Sequence, residues 1–275
     1  MIGILGIDAA WTDHEPSGVA LVARTDTAPW RCVCVAPSYS AFLRASQGET
    51  ISWQSVDCDG EAPDVRSILA AASRLIDGHV VDVVAIDMPV SRANITGRRT
   101  ADDLVSEEFG AAGCGTHSPS EDRPGDLGAT LTVAFGDCGY PVATQHDKSG
   151  TLARLVEVYP HPALLTLLNK TYRLPYKAGK TKKYWPKDGV HERIEKLSNI
   201  YRQILTALKA EIDGIDLPLP NATSCTSLAS LKRYEDSLDA LVCAWAGCRY
   251  VDGSSTAYGD ADAAIWVPDA RTKSS

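Results

Sequence analysis

Apolar and polar residues form blocks along the first ninety residues, and these blocks predict a strand meander, a helix and a further strand. The segment IGILGIDAAW is a short apolar run that ends in polar residues, as a buried strand does. GVALVAR and RCVCVAP follow with polar and proline-containing links, which predicts three antiparallel strands. Residues 61–78 carry apolar positions at helical spacing up to a glycine, and VVDVVAIDMP then returns to strand character.

Predicted helices dominate the rest of the chain. We expect a charged helix over residues 100–109 and a long Gly-, Ser- and Pro-rich loop after it. DLGATLTVAFGDCGY predicts a helix, RLVEVYP a strand and HPALLTLLNK a short helix; an amphipathic helix over residues 190–212 and the helix YEDSLDALVCAWAGCRY follow. This order predicts an α/β fold in one domain, a mixed five-stranded sheet with helices on both faces and helical insertions around residues 91–150 and 160–225.

Composition narrows the functional classes. The chain has 275 residues and a net charge of −8, which argues against wholesale coating of nucleic acid but leaves local basic patches open. No run approaches the ~18 apolar residues of a membrane span, and the N-terminus lacks a basic secretory start, so we expect a cytoplasmic protein with no membrane partner. The eight cysteines include no C-x-x-C pair and the six histidines no zinc spacing. We therefore expect reduced thiols, and oxygen ligands for any metal.

Five carboxylates stand at the ends of predicted elements. Asp8 closes the first strand and Asp87 closes the fourth; if these strands are parallel neighbours, both side chains emerge at one edge of the sheet. Glu157, near the end of RLVEVYP, could reach the same edge. Asp236 and Asp239 are three apart at the start of the last helix and share one of its faces. So many carboxylates would repel one another unless a cation neutralised them, which points to Mg²⁺ or Mn²⁺.

A simpler interpretation of each carboxylate stays open. Asp236 as the N-cap and Asp239 at the third helical position would form an aspartate version of the capping box. An acidic residue at a strand end, such as Asp8 or Asp87, often caps a turn or pairs with an arginine.

A basic stretch interleaved with aromatic residues lies at 170–187. It contains seven basic residues, four aromatic residues and no acidic residue. This composition suits contacts with a nucleic-acid backbone and stacking on bases, and we expect Lys180, Lys182 and Lys183 to bind substrate. A solvated loop would have the same composition.

Loops after the fourth strand carry arginines that could hold substrate phosphates. These are Arg92, Arg98, Arg99 and Arg123. The alternative is that they are surface arginines paired with nearby acidic residues. The acidic candidates are Asp102, Asp103, Glu107 and Asp122.

Several motifs resemble those of a known family. GIDAAW with SGVALV, AIDMPV with GRRTADD, VEVYPHPAL and YEDSLDALVCAWAG look like the motifs of a DUF429-like family of predicted RNase H-like nucleases, a domain of unknown function. The resemblance covers nearly the whole chain in motif order. The last motif, D-x-x-D-A, is also similar to that of Holliday-junction resolvases.

The resemblance implies an RNase H-like fold and a metal-dependent nuclease acting on DNA or RNA. It implies that Asp8, Asp87 and Asp239 hold two divalent metals, with Asp236 as their companion on the helix. Asp8 would bridge the two ions, and the other two aspartates would each complete one coordination shell. Glu157 matches a family motif without an established role.

Two other functions remain compatible with the motifs. A nucleotide-dependent phosphotransferase or ATPase of the actin-like type shares the same core, and GIDAAWTDHEPSGVALV resembles its phosphate-contacting hairpin. A non-catalytic nucleic-acid-binding protein could also retain the fold.

Overall fold

A computed structural model describes residues 1–12, 14–54, 60, 62–120, 122–222, 225 and 227–270. Within these ranges the strands are β1 (Ile2–Asp8), β2 (Gly18–Arg24), β3 (Arg31–Ala36), β4 (Val83–Ile86), β5 (Arg154–Glu157), β6 (Ser255–Gly259) and β7 (Ala264–Pro268). The helices are α1 (Tyr39–Ala45), α2 (Val65–Leu75), α3 (Thr100–Phe109), α4 (Leu127–Asp137), α5 (Pro160–Leu168), α6 (Thr181–Tyr184), α7 (Val190–Lys209) and α8 (Lys232–Val251).

The described strands form one mixed sheet in the order β3-β2-β1-β4-β5-β7-β6. Strands β1, β2 and β3 are the antiparallel meander that the sequence predicts, and β4 and β5 add parallel strands beside β1. The expected count of five strands is wrong, because β7 joins β5 in parallel and β6 pairs antiparallel with β7. Both additional strands are only five residues long and follow the last predicted helix, in a stretch for which we predict no element from the sequence.

Helices cover both faces of the sheet, as predicted. Side chains alternate along a strand, so Ile4 and Ala85 lie on one face and Leu5 and Val84 on the other. Helices α5, α7 and α8 pack on the first face, and α1, α2 and α4 pack on the second. None of the described helices combines the length and apolarity needed to cross a bilayer. The seven described cysteines are all free, in agreement with the expected thiols.

Two glycines let helix α8 approach the sheet. A Cβ atom on Gly6 of β1 would lie 2.3 Å from the carbonyl oxygen of Ala240, and one on Gly18 of β2 would lie 2.1 Å from that of Asp236. Because no side chain fits in either space, the backbone of α8 lies directly against the first two strands. This contact brings the acidic first half of α8 to the edge of the sheet.

The capping interpretation of the helix acids is wrong. Helix α8 begins at Lys232, and its N-cap is Leu231, which makes no side-chain cap bond. A 3₁₀ turn over Ala229–Leu231 runs directly into it. Asp236 and Asp239 therefore lie inside the helix, where its own backbone satisfies the N–H groups.

Candidate active site

A pocket of about 710 Å³ opens where strands β1 and β4 end. The two strands are parallel neighbours with Ile7 opposite Ile86, so Asp8 and Asp87, one residue further on, emerge side by side. Asp236 of α8 lines the same pocket. Three of the predicted carboxylates thus come together from two strand ends and one helix.

The carboxyl groups in the pocket have higher pKa values than free carboxyl groups in water. Asp8 and Asp87 are half-buried, and none of the described residues donates a hydrogen bond to either carboxylate. Burial and the neighbouring Asp239 raise the pKa of Asp8 well above its usual range. Burial raises the pKa of Asp87 to about 7 although the Lys177 ammonium opposes the shift, and burial raises that of Asp236 to about 7 as well.

Two lysines supply positive charge to the acids of α8. The Nζ of Lys177 lies 2.5 Å from Oδ2 of Asp239 and 3.6 Å from Oε1 of Glu235. Lys232 forms an ion pair with Oδ1 of Asp236, and its Nζ lies 3.6 Å from Oε1 of Glu235. All three acids are at most 3% exposed, so their charges depend on these ammonium groups.

Further donors occupy the remaining oxygens of two of these acids. The hydroxyl of Tyr176 donates to Oδ1 of Asp239 at 2.7 Å. The backbone N–H of Ala178 donates to Oε2 of Glu235 at 2.5 Å, and the hydroxyl of Tyr201 donates to the same oxygen at 3.2 Å. Asp239 does not line the pocket, and its two oxygens are both committed to protein donors.

Asp236 differs, because its Oδ2 atom is buried with no hydrogen-bond partner in the described part of the chain. With Asp8 and Asp87 it gives a set of uncommitted carboxylate oxygens, the ligands that Mg²⁺ and Mn²⁺ prefer. Among the described residues, no three His, Cys, Asp or Glu side chains are arranged so that they could hold a metal ion together. Mg²⁺ usually takes one or two carboxylates and keeps several waters, so one or two of these acids suffice for such a cation.

Glu157 lies at the same end of the sheet but on the opposite face. Its neighbour Val156 packs on the side of α8, whereas Leu155 packs on the side of α2 and α4, and Glu157 shares the face of Leu155. Its carboxylate accepts hydrogen bonds from Arg99 at 2.6 and 2.7 Å and from the N–H of Val90 at 3.0 Å. The structure therefore joins Glu157 to Arg99 and does not place it among the residues that line the pocket.

Three of the four predicted arginines are paired outside the pocket. Arg98 donates to Asp103, as the surface-pair alternative expected. Arg99 pairs with Asp102 and Glu157, but this group is buried, so Arg99 is not a surface arginine. Arg92 donates to the carbonyl oxygen of residue 142 at 3.0 Å. None of these three arginines lines the described pocket, so the pocket does not support the substrate role predicted for them.

The basic rim of the pocket comes from two separate loops. Arg123 lines it, with its guanidinium 5.9 Å from the centre of the Trp11 ring. Lys180 also lines it, whereas Lys182 and Lys183 are exposed on the short helix α6 beside it. Of the lysines that the sequence singled out, one reaches the pocket.

Sequence reasoning missed several pocket residues. Lys177 and Arg173 lie in the basic stretch, but spacing alone did not separate them from its exposed lysines. His161 is 5% exposed, its Nδ1 has no hydrogen-bond partner among the described atoms, and burial with the charge of Lys177 lowers its pKa well below the usual value. It follows the strand that carries Glu157, and a lone histidine there gave no metal or catalytic pattern.

The fold and the site define a mixed α/β protein with a carboxylate pocket at the ends of two parallel strands. Residues 141–263 match the family model described as "Protein of unknown function (DUF429)". The match includes Lys177, Asp236 and Asp239 but begins after Asp8 and Asp87. No curated protein and no solved structure matches the chain significantly. The second half of the chain is thus similar to an uncharacterised family.

Proposed function

We propose that this protein is a metal-dependent nuclease, a hydrolase that cleaves phosphodiester bonds of DNA or RNA with Mg²⁺ or Mn²⁺. The observation that carries the proposal is the meeting of Asp8, Asp87 and Asp236 in one pocket whose rim is basic. An acidic floor suits a divalent cation, and Arg123 and Lys180 suit the phosphate that the cation would face.

The positions of the acids along the fold support an RNase H-like relationship. In that superfamily the metal-binding acids come from the first strand, the fourth strand and the last helix. Here Asp8 ends β1, Asp87 follows β4, and Asp236 and Asp239 belong to α8. The five strands β3-β2-β1-β4-β5 form a continuous part of the sheet, and the two additional strands extend it at the β5 edge.

The chain's own residues divide the work in the proposed reaction. One or two of the carboxylates of Asp8, Asp87 and Asp236 would hold the cation together with waters, and the bound cation would supply an activated water and stabilise developing negative charge. Arg123 and Lys180 would orient the substrate phosphate by charge-assisted hydrogen bonds. His117 and His161 also line the pocket, and burial lowers the pKa of both, which favours their neutral form.

Cleavage assays test the proposal directly. Labelled single-stranded, double-stranded and branched DNA and RNA are incubated with the protein in Mg²⁺, Mn²⁺ or EDTA. We expect cleavage that EDTA abolishes and that Asp8→Asn lowers at least ~10³-fold, because a metal ligand loses its charge. The matched control is Asp137→Asn, an exposed aspartate at the end of α4, which should cleave like the wild type.

Two outcomes would contradict the proposal. Cleavage that persists in Asp8→Asn would point to a contaminating nuclease. A protein that cleaves none of these substrates but gains melting temperature with Mg²⁺-ATP, and not with oligonucleotide, would favour the phosphotransferase alternative.

A further inference from the structure

The segment before α6 places a fixed positive charge beside the pocket acids. We infer that the ammonium of Lys177 takes the place of a second metal ion, so that the pocket binds one divalent cation per chain. This inference rests on the proposed function and concerns how many cations the site needs. It changes the role of Asp239 from that of a metal ligand to that of the residue that positions Lys177.

An inventory of carboxylate oxygens supports a single metal. Asp239 accepts from Tyr176 at one oxygen and from Lys177 at the other, at 2.7 and 2.5 Å. A cation could bind Asp239 only by displacing one of these buried donors. Among the pocket acids of β1, of α8 and of the residue after β4, the oxygens without a protein donor in the described chain belong to Asp8, Asp87 and Oδ2 of Asp236. Glu235 accepts at Oε2 and faces both lysines at Oε1, and Glu15, which also lines the pocket, is exposed to solvent. The free oxygens suffice for one hydrated Mg²⁺, and these elements offer no further buried carboxylate for a second coordination shell.

Lys177 is held in place by residues on both sides of it. Tyr176 is fully buried and donates to Asp239, and the N–H of Ala178 donates to Glu235. The residues on either side of Lys177 therefore bind this segment to α8. The Lys177 side chain is 22% exposed and lines the same pocket as the strand-end aspartates. Its charge is therefore fixed by the fold rather than carried on a mobile surface side chain.

The electrostatic surroundings agree with this role. The Nζ of Lys177 lies 2.5 Å from Oδ2 of Asp239 and 3.6 Å from Oε1 of Glu235, so one ammonium faces two buried carboxylates. Removal of the ammonium would leave Asp239 and Glu235 buried without it, a costly arrangement that a divalent cation could relieve. A chain without Lys177 should thus accept a second metal ion.

Manganese stoichiometry tests the inference without relying on activity. Bound Mn²⁺ per chain is measured by equilibrium dialysis at saturation for the wild type, Lys177→Met and Lys209→Met, the last an exposed lysine at the end of α7. We expect one ion for the wild type, two for Lys177→Met and one for Lys209→Met. Two ions in the wild type, or one in a folded Lys177→Met, would overturn the inference.

Two milder variants keep the test decisive if Lys177→Met does not fold. Asp239→Asn should still bind one Mn²⁺, and Asp236→Asn should weaken Mn²⁺ binding at least tenfold. Loss of the ion in Asp239→Asn would overturn the inference, because it would make Asp239 a ligand. Failure of the proposed function looks different: a wild type that binds no Mn²⁺ would defeat both, whereas two bound ions would defeat only the single-metal inference.

Discussion

Two clusters of buried charge lie near the ends of the central parallel strands, and only one of them has unused bonding capacity. In the first, the guanidinium of Arg99 bridges Glu157 and Asp102, with every side chain at most 9% exposed. In the second, Lys177 and Lys232 form ion pairs with acids of α8 beside an open pocket. Both clusters are buried and charged. In the first, the closed cluster of Arg99, Asp102 and Glu157, protein groups donate hydrogen bonds to both carboxylates. The second, the open cluster of Lys177, Lys232 and the acids around them, presents free oxygens to a ligand.

The difference shows which observation points to function. Burial raises the pKa of Glu157 as it raises that of Asp87, so a shifted pKa alone does not separate the clusters. Hydrogen bonding separates them: Glu157 is satisfied by Arg99 and Val90, whereas no described residue donates to the carboxylate of Asp87. In the same pocket, the buried Oδ2 of Asp236 also has no donor among the described residues. A buried acceptor left unpaired is costly, so this oxygen favours a ligand in the pocket.

The largest expected effect on stability comes from removal of the arginine of the closed cluster. Arg99→Met leaves Glu157 and Asp102 as buried carboxylates without their cation, and we expect a loss of about 3–5 kcal/mol in the free energy of unfolding. The matched control is Arg44→Met, whose partner Glu49 is exposed, with an expected loss below about 1 kcal/mol. Urea denaturation of the three proteins measures both values. Equal losses would show that the Arg99 cluster is no more important for stability than a surface pair.

Removal of a charge from the open cluster should raise the free energy of unfolding instead of lowering it. In the absence of metal, Asp8→Asn removes a carboxylate whose pKa is raised by burial and by Asp239, so the free energy of unfolding should rise, on the order of 1 kcal/mol. Urea denaturation in EDTA gives the value, with Asp137→Asn as the unchanged control. A destabilised Asp8→Asn would indicate that its carboxylate has a structural partner.

The pH dependence of stability should reflect the open cluster. Asp87 and Asp236 have pKa values of about 7 in the folded chain against a usual 3.8, so the folded state holds more protons between these values. Their contribution to stability is complete below about pH 4 and is lost as the pH rises through about 7. We therefore expect these two groups to lower the metal-free melting temperature from pH 5 to pH 8.

Asp87→Asn and Mg²⁺ should both reduce that decline. The substitution removes one titrating group, and Mg²⁺ binds the ionised carboxylates, so the metal should raise the melting temperature more at pH 8 than at pH 5. Thermal unfolding of the wild type and Asp87→Asn, with EDTA or Mg²⁺, measures the four curves. Identical slopes in the two proteins would remove Asp87 from the explanation.

The smallest effect concerns the basic residues beside the open cluster. Replacement of Lys180, Lys182 and Lys183 with alanine should lower the slope of log affinity against log salt for an oligonucleotide, by about 0.7 to 0.9 for each lost phosphate contact. Fluorescence anisotropy at several salt concentrations measures the slope. An unchanged slope would mark the segment as an ordinary exposed loop.

The strand pattern predicted which residues could meet, and the register decided which of them do. Asp8 and Asp87 were expected to emerge together only if their strands are parallel neighbours, and the pairing of β1 with β4 meets that condition. The same rule could not place Glu157 relative to them, because the face of a residue on β5 depends on its pairing with β4. The observed register sets Glu157 opposite Ile86, on the face away from Asp87.

The amino-acid sequence by itself determined the first five strands, most of the helices and the presence of carboxylates at their ends, because these follow from local hydrophobic period. The tertiary structure decided the start of α8 at Lys232, the close contact of that helix with Gly6 and Gly18, and the placement of Lys177 against Asp239. Each of these depends on residues far apart in the chain whose backbones approach only after folding. Local patterns do not encode such distances, so the open cluster could be suspected from the sequence but its oxygens could be assigned only from the fold.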